Sequence, residues 1–135
     1  MMYRKPSDSP WGLVVRCDTL CPGVYSVSTA GHGGIMVQID AARRLLSPEA
    51  QTVGFQAGGY LNFEEDCDAP VVLRELMDSG IIAPRTDNYF RPGEYEACID
   101  RSLQHWNPAY WQARQERLSV REAKAAKERE RQWTM

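Results

Sequence analysis

The sequence predicts an α+β fold: a small antiparallel β-sheet of three to five strands, covered by two or three helices, with an extended C-terminal helix. Three observations support this prediction. Residues 11–39 hold three short apolar runs separated by turns that contain glycine. Residues 62–106 hold two segments whose apolar side chains recur at helical spacing. Residues 109–135 are rich in alanine, glutamate, lysine and arginine, which favour helix.

The first half of the chain alternates between strands and turns. "WGLVVRC", which begins at Trp11, has β-branched valines and predicts a strand, whereas "DTLCPG" predicts a turn. "VYSVST" alternates apolar and polar residues from Val24, and "IMVQI" from Ile35 follows the turn "AGHGG". Short strands joined by tight turns predict an antiparallel meander.

The middle of the chain mixes helix and strand signals. "DAARRLLS" predicts a helix that Asp40 caps, and the glycine-interrupted "QTVGFQAGGYLNF" predicts a strand or hairpin. Asn62 is a candidate N-cap for a helix that ends at Gly80. Because Pro70 is tolerated only in a first turn, that helix begins near residues 67–69 or the acidic run before it is a separate turn.

The last part of the chain predicts two helices. A helix from Pro92 has Cys98, Ile99 and Leu103 on one face, and Asn107-Pro108 ends it. The segment after it has a narrow apolar face, because Trp111, Leu118 and Ala125 recur at seven residues with polar residues between.

At 135 residues the chain has room for one domain with an appendage. We expect a flexible arm over residues 1–10, an α+β domain over 11–108 and a charged helix over 109–135. Most apolar residues precede residue 109, so truncation after Pro108 is expected to leave the domain folded. Tyr110, Trp111 and Trp133 are candidate contact residues, because their burial needs a partner or the protein's own body.

Charge is unevenly distributed. Residues 1–111 carry 9 basic and 14 acidic side chains, a net of −5, and residues 112–135 carry 7 and 4, a net of +3. An acidic body argues against direct nucleic-acid binding. The sequence has neither an apolar run long enough for a membrane span nor a signal peptide, so we expect a cytoplasmic protein.

Four cysteines do not suggest a disulfide framework. Cys17 and Cys21 have the spacing of half a zinc site, but Cys67 and Cys98 lie far apart and do not complete it. We therefore expect packing cysteines and neither a metal nor a cofactor.

His32 stands in the glycine-rich segment "VSTAGHGGI". A histidine there can act as a general acid or base, with its tautomer fixed by Glu65 or Asp66 if the acidic block of residues 64–68 folds back onto it. The sequence thus predicts that His32 lies within hydrogen-bonding reach of Glu64, Glu65 or Asp66, directly or through one water.

The neighbours of His32 supply further candidate groups. Ser28 or Thr29 can serve as nucleophile or bind substrate, and the N–H groups of Gly33 and Gly34 can form an anion nest. The alternative is structural: a glycine turn between two strands, locked by the histidine, with the acidic block stabilising a helix N-terminus.

A set of residues between 10 and 111 resembles an uncharacterised domain family of bacterial phages, plasmids and integrative elements. The set is Trp11-Gly12, Pro22-Gly23, Ser28-Thr29-x-Gly31-His32-Gly33-Gly34, Glu64-Glu65-Asp66-Cys67-Asp68 and Trp106-Asn107-Pro108. The resemblance implies a mobile-element setting and no particular activity. Ala69-Pro70 stands where the family usually has an aromatic residue.

Two functions from different classes follow. The first is a phage or mobile-element accessory protein that binds and modulates a host protein such as a defence component. Inhibition of that host protein is one form that this modulation can take. In that case the C-terminal helix adds contact area or pairs two chains as a homodimer. The second is a small hydrolase or transferase centred on His32 with the acidic block of residues 64–68.

Overall fold

The computed structural model describes residues 3–133 and confirms the α+β class. The strands are β1 (Asp8–Ser9), β2 (Gly12–Leu13), β3 (Arg16–Cys21), β4 (Val24–Ser28), β5 (Gly33–Gln38), β6 (Phe55–Ala57) and β7 (Tyr60–Glu64). The helices are α1 (Ile39–Leu45), α2 (Pro48–Val53), α3 (Ala69–Asp78), α4 (Glu94–Trp106) and α5 (Pro108–Trp133). Strands β3-β4-β5-β7-β6 form one antiparallel sheet in that order, and β1-β2 form a separate hairpin.

The predicted meander of the first half is confirmed as β3, β4 and β5. The first predicted strand has different bounds in the structure. Residues 14–15 are not in a strand, and "DTLC", which was predicted as part of a turn, belongs to β3. The turn is confined to Pro22 and Gly23. Gly23 has φ +87°, and a Cβ there would lie 2.8 Å from the Cβ of Ala41, so both conformation and space require glycine.

The sheet buries both of its faces. One face, with Val37 and Phe63 among its fully buried residues, packs against the helices. The other face, with Tyr25 and Met36, is covered by the N-terminal segment. The described part of the arm that was predicted to be flexible therefore packs on the sheet. The Tyr3 hydroxyl donates a hydrogen bond to Asp40 at 2.9 Å.

Asn62 does not cap a helix. It lies within β7, fully buried, and its Nδ2 donates to the carbonyl oxygen of Phe55 at 3.1 Å. Helix α3 begins at Ala69, with Pro70 in its first turn. The helix therefore begins at the end of the expected range, residues 67–69. The acidic residues before it form a separate turn over 65–68, which follows Glu64, the last residue of β7.

The helices form a layer on one face of the sheet. Helix α4 runs antiparallel to α3, since Arg74 contacts Asp100 at 3.0 Å while Asn107 donates to the Cys67 carbonyl at 2.8 Å. Helix α5 then returns along α3 and extends beyond it. Within residues 3–133, no helix has an apolar stretch long enough to cross a membrane.

Candidate functional site

The loop that carries His32 has a fixed backbone. The Thr29 N–H donates to the His32 carbonyl at 2.8 Å, and the His32 N–H donates to Thr29 Oγ1 at 3.1 Å. Ser28 and Gly33 are paired across β4 and β5 at the base of the loop. The histidine is therefore held at the tip of a closed hairpin.

The acidic turn lies against this hairpin, as the sequence predicted for the two polar blocks. The Glu65 N–H donates to the Gly33 carbonyl at 3.1 Å, and the Asp68 N–H donates to the Glu64 carbonyl at 2.9 Å. We call residues 28–34 together with residues 64–68 the acidic end. It lies where β5 begins and β7 finishes, so the sheet register brings the two blocks together.

The side chains at the tip of the acidic end are exposed and unpaired. His32, Glu65 and Asp66 are all exposed, and none of their side chains makes a hydrogen bond within residues 3–133. The direct contact predicted between His32 and Glu64, Glu65 or Asp66 is not formed. A contact between these side chains through one bridging water stays a prediction.

The candidate nucleophiles are not paired with the histidine. Thr29 Oγ1 donates to the backbone carbonyl of His32, and exposed Ser28 makes no hydrogen bond with the imidazole. Cys67, in the acidic turn, stays a neutral thiol. Burial, the charges of Asp68 and Glu64 and a hydrogen bond to Glu64 raise its pKa to about 11. The candidate catalytic residues of the acidic end therefore form no pair of nucleophile and general base.

Gly33 and Gly34 lie inside β5 rather than in the turn, and neither has a positive φ. They are needed for space: a Cβ on Gly34 would lie 2.5 Å from the indole of Trp11, and one on Gly33 would lie 3.1 Å from Glu65 Oε2. Their backbone groups belong to the sheet, so the predicted anion nest does not form.

A second charged cluster joins α3 to α5. Glu75, whose side chain is only 5% exposed, accepts hydrogen bonds from the Tyr110 hydroxyl at 2.6 Å, from Arg117 at 3.2 Å and from the Ser47 N–H. Burial, together with Glu75, raises the pKa of Tyr110 well above its usual range, so the phenol stays protonated.

Asp78 holds the other half of this cluster. Arg114 donates to both of its oxygens, at 2.7 and 2.9 Å, and Arg74 donates at 3.1 Å. Burial opposes ionisation of Asp78, but the hydrogen bonds and charges of the two arginines hold its pKa below the usual value. Arg74 also contacts Glu96 on α4 at 3.0 Å. We call Glu75 and Asp78 with Tyr110, Arg114 and Arg117 the helical clamp.

The three aromatic residues predicted as contacts on the C-terminal helix have different environments. Tyr110 is buried in the protein's own body. Trp111 is half-buried, with the Arg114 guanidinium 5.5 Å from its ring centroid. Trp133 is 89% exposed. The clamp has little signal in the sequence, because its paired residues are 35, 36 and 42 positions apart. The one local signal is the helical spacing of Tyr110, Arg114 and Arg117.

The cysteines remain separate. Cys17 and Cys21 lie on β3, half-buried and free. Among residues 3–133, no three His, Cys, Asp or Glu side chains are grouped as metal ligands. The absence of zinc stays a prediction for elemental analysis.

A family model described as a domain of unknown function, DUF7007, matches residues 4–135 of this chain. The match includes the N-terminal arm and the C-terminal helix, which the resemblance by motif left outside. No curated protein and no solved structure matches the chain.

Proposed function

The chain belongs to the DUF7007 family, and we propose that it is an accessory protein of a phage or mobile element that binds and modulates a host protein through the acidic end. One observation carries this proposal: the backbone of the acidic end is fixed by hydrogen bonds, while the side chains of His32, Glu65 and Asp66 are exposed and make no hydrogen bond within residues 3–133. A surface ordered in advance loses little conformational entropy on binding.

The chemistry of these side chains favours binding over catalysis. Neither Ser28 nor Thr29 is paired with His32, and Cys67 is a neutral thiol, so the hydrolase or transferase alternative has no activated nucleophile. The remaining groups are carboxylates, which attract a basic partner and speed its encounter. A host defence protein in the cytoplasm with a basic nucleic-acid-binding surface fits this chemistry, and covering that surface would inhibit it.

The test is capture from host lysate with immobilised protein at two salt concentrations. Glu65→Gln with Asp66→Asn removes two charges from the acidic end with almost no change in shape. The matched control, Glu122→Gln with Glu128→Gln, removes two exposed charges from the far part of α5. We expect the wild type and the control to retain the same stoichiometric partner and the acidic-end variant to lose it.

The enzyme alternative predicts a different result. His32→Ala would then abolish a hydrolase or transferase activity that the control variant, Glu122→Gln with Glu128→Gln, retains. Capture of one partner by all variants alike would contradict the acidic end as the binding surface.

A further inference from the structure

The far half of α5 extends from the body with an exposed face that no residue between 3 and 133 covers. Residues 119–133 of this helix are about 22 Å long at 1.5 Å per residue. Val120 and Trp133, on different sides of this helix, are 67% and 89% exposed. The clamp ends at Arg117, so this half lacks the ion pairs that fix the first half.

One face of α5 carries opposite charges at equal distances on either side of Val120. Residues three or four apart lie on the same side of a helix, which places Ala113, Glu116, Val120, Lys124 and Lys127 together. We call these five residues the outer face. Its spacing is the same in both directions from Val120, with Glu116 on one side and Lys124 at the matching position on the other.

We propose that the outer face binds the outer face of a second copy of this chain, with the two α5 helices antiparallel and a two-fold axis at Val120. In this arrangement each Glu116 meets Lys124 of the other copy, and each Lys127 meets Ala113, a small residue that leaves room for a long side chain. A parallel pair would place lysine against lysine, which like-charge repulsion disfavours.

The charges of the whole molecule favour the same arrangement. Residues 1–118 carry 11 basic and 15 acidic side chains, a net of −4, whereas residues 119–135 carry 5 and 3, a net of +2. Antiparallel pairing lays the basic half of each α5 along the acidic body of the other copy. Complementary charge of this kind strengthens and orients an interface.

A groove lies where the end of the second helix would arrive. With the axis at Val120, residues 131–133 of one copy lie level with residues 107–109 of the other. Beside those residues is a mainly apolar cavity of about 510 Å³ between α2 and the junction of α4 and α5. Val53, Trp106 and Pro108 line it, with Glu49 also in its wall. The basic last turn of α5 complements the charge of Glu49 in this wall.

The test is a charge-reversal cycle on purified protein, read as molecular mass by sedimentation across micromolar to millimolar concentrations. The wild type is expected to form dimers that weaken as salt is added, because the contacts are exposed ion pairs. Glu116→Lys or Lys124→Glu alone is expected to weaken dimerisation at least about tenfold, or 1.4 kcal/mol. The double variant is expected to restore it, since Glu116 and Lys124 are too far apart within one helix to contact each other.

Glu122→Lys is the matched control. It makes the same change of charge on α5 but lies off the outer face, so dimerisation should stay within about threefold of the wild type, or 0.7 kcal/mol. Circular dichroism checks that every variant stays helical. A wild type that is monomeric at all concentrations, or a double variant that stays weak, would overturn the proposal. The experiment contains no host protein, so its failure leaves the host-binding proposal standing and the reverse also holds.

Discussion

The acidic end and the helical clamp use carboxylates in opposite ways. In the clamp, Glu75 accepts hydrogen bonds from three residues and Asp78 from two. At the acidic end, the exposed carboxylates of Glu65 and Asp66 accept none within the described chain. Charges that are mostly buried and fully paired hold helices in place, whereas exposed and unpaired charges are available to a partner. The difference separates the part of the molecule that stabilises the fold from the part we propose for function.

The largest expected effect comes from removing α5 at different points. Truncation after Pro108 deletes Tyr110, Arg114 and Arg117, and removes two of the three hydrogen-bond donors of Glu75. Loss of a buried aromatic costs about 3–5 kcal/mol, and loss of the groups that pair a buried charge costs about as much again. Since a domain of this size is stable by about 5–15 kcal/mol, we expect this truncation to unfold the protein.

Truncation after Leu118 is the control, because it keeps every residue of the clamp. It should give a cooperative thermal transition near that of the full chain, measured by circular dichroism. If instead the chain ending at Pro108 folds cooperatively, the domain boundary expected from the sequence is right and the clamp does not hold the fold together.

A smaller effect is expected from a single residue of the clamp. Arg114→Met keeps the aliphatic stem but removes both hydrogen bonds to Asp78. We expect a loss of about 2 kcal/mol in the free energy of unfolding, less than for a fully unpaired charge, because Arg74 still contacts Asp78. Arg121→Met, at an exposed position two turns further along α5, should stay within about 0.5 kcal/mol of the wild type. Urea unfolding of both variants measures the difference.

The clamp also predicts a dependence on pH. The pKa of Asp78 is lower in the folded protein than in the unfolded chain, so its contribution to stability is present above the unfolded value and is lost as pH falls through the folded value. Stability should therefore decrease as pH falls below the ordinary aspartate pKa of about 4, and the decrease should be smaller in Arg114→Met. Equal decreases in both proteins would show that Asp78 is not coupled to Arg114.

Local patterns predicted the strands of the meander, because alternation and glycine turns act within a few residues. They also predicted a hydrogen bond between His32 and the acidic block. The backbones of the two segments meet, but the direct side-chain contact is not formed. Local patterns misplaced Asn62, because a polar residue before an acidic run is typical of an N-cap, whereas here its amide bonds to strand carbonyls. The glycines after His32 were expected to provide turn conformations, but they lie in β5, where Trp11 and Glu65 approach them closely. Local sequence does not show which residues approach.

The clamp was not predictable for a different reason. Arg114 and Arg117 have the composition of a solvated helix face, and their carboxylate partners lie on α2 and α3. Only the path of α5 back along α3 pairs them. A charged segment therefore has the same appearance in sequence whether it packs on the body or extends from it, and in this chain one helix does both.

The most direct test of the account compares stability and binding in the same two variants. The unfolding free energy and the affinity for the captured host protein are measured for Arg114→Met and for Glu65→Gln with Asp66→Asn. The account predicts that the acidic-end variant keeps its stability within about 0.5 kcal/mol but loses at least about tenfold in affinity, while folded Arg114→Met binds like the wild type. An acidic-end variant that binds unchanged, or an Arg114→Met protein that is fully stable, would contradict it.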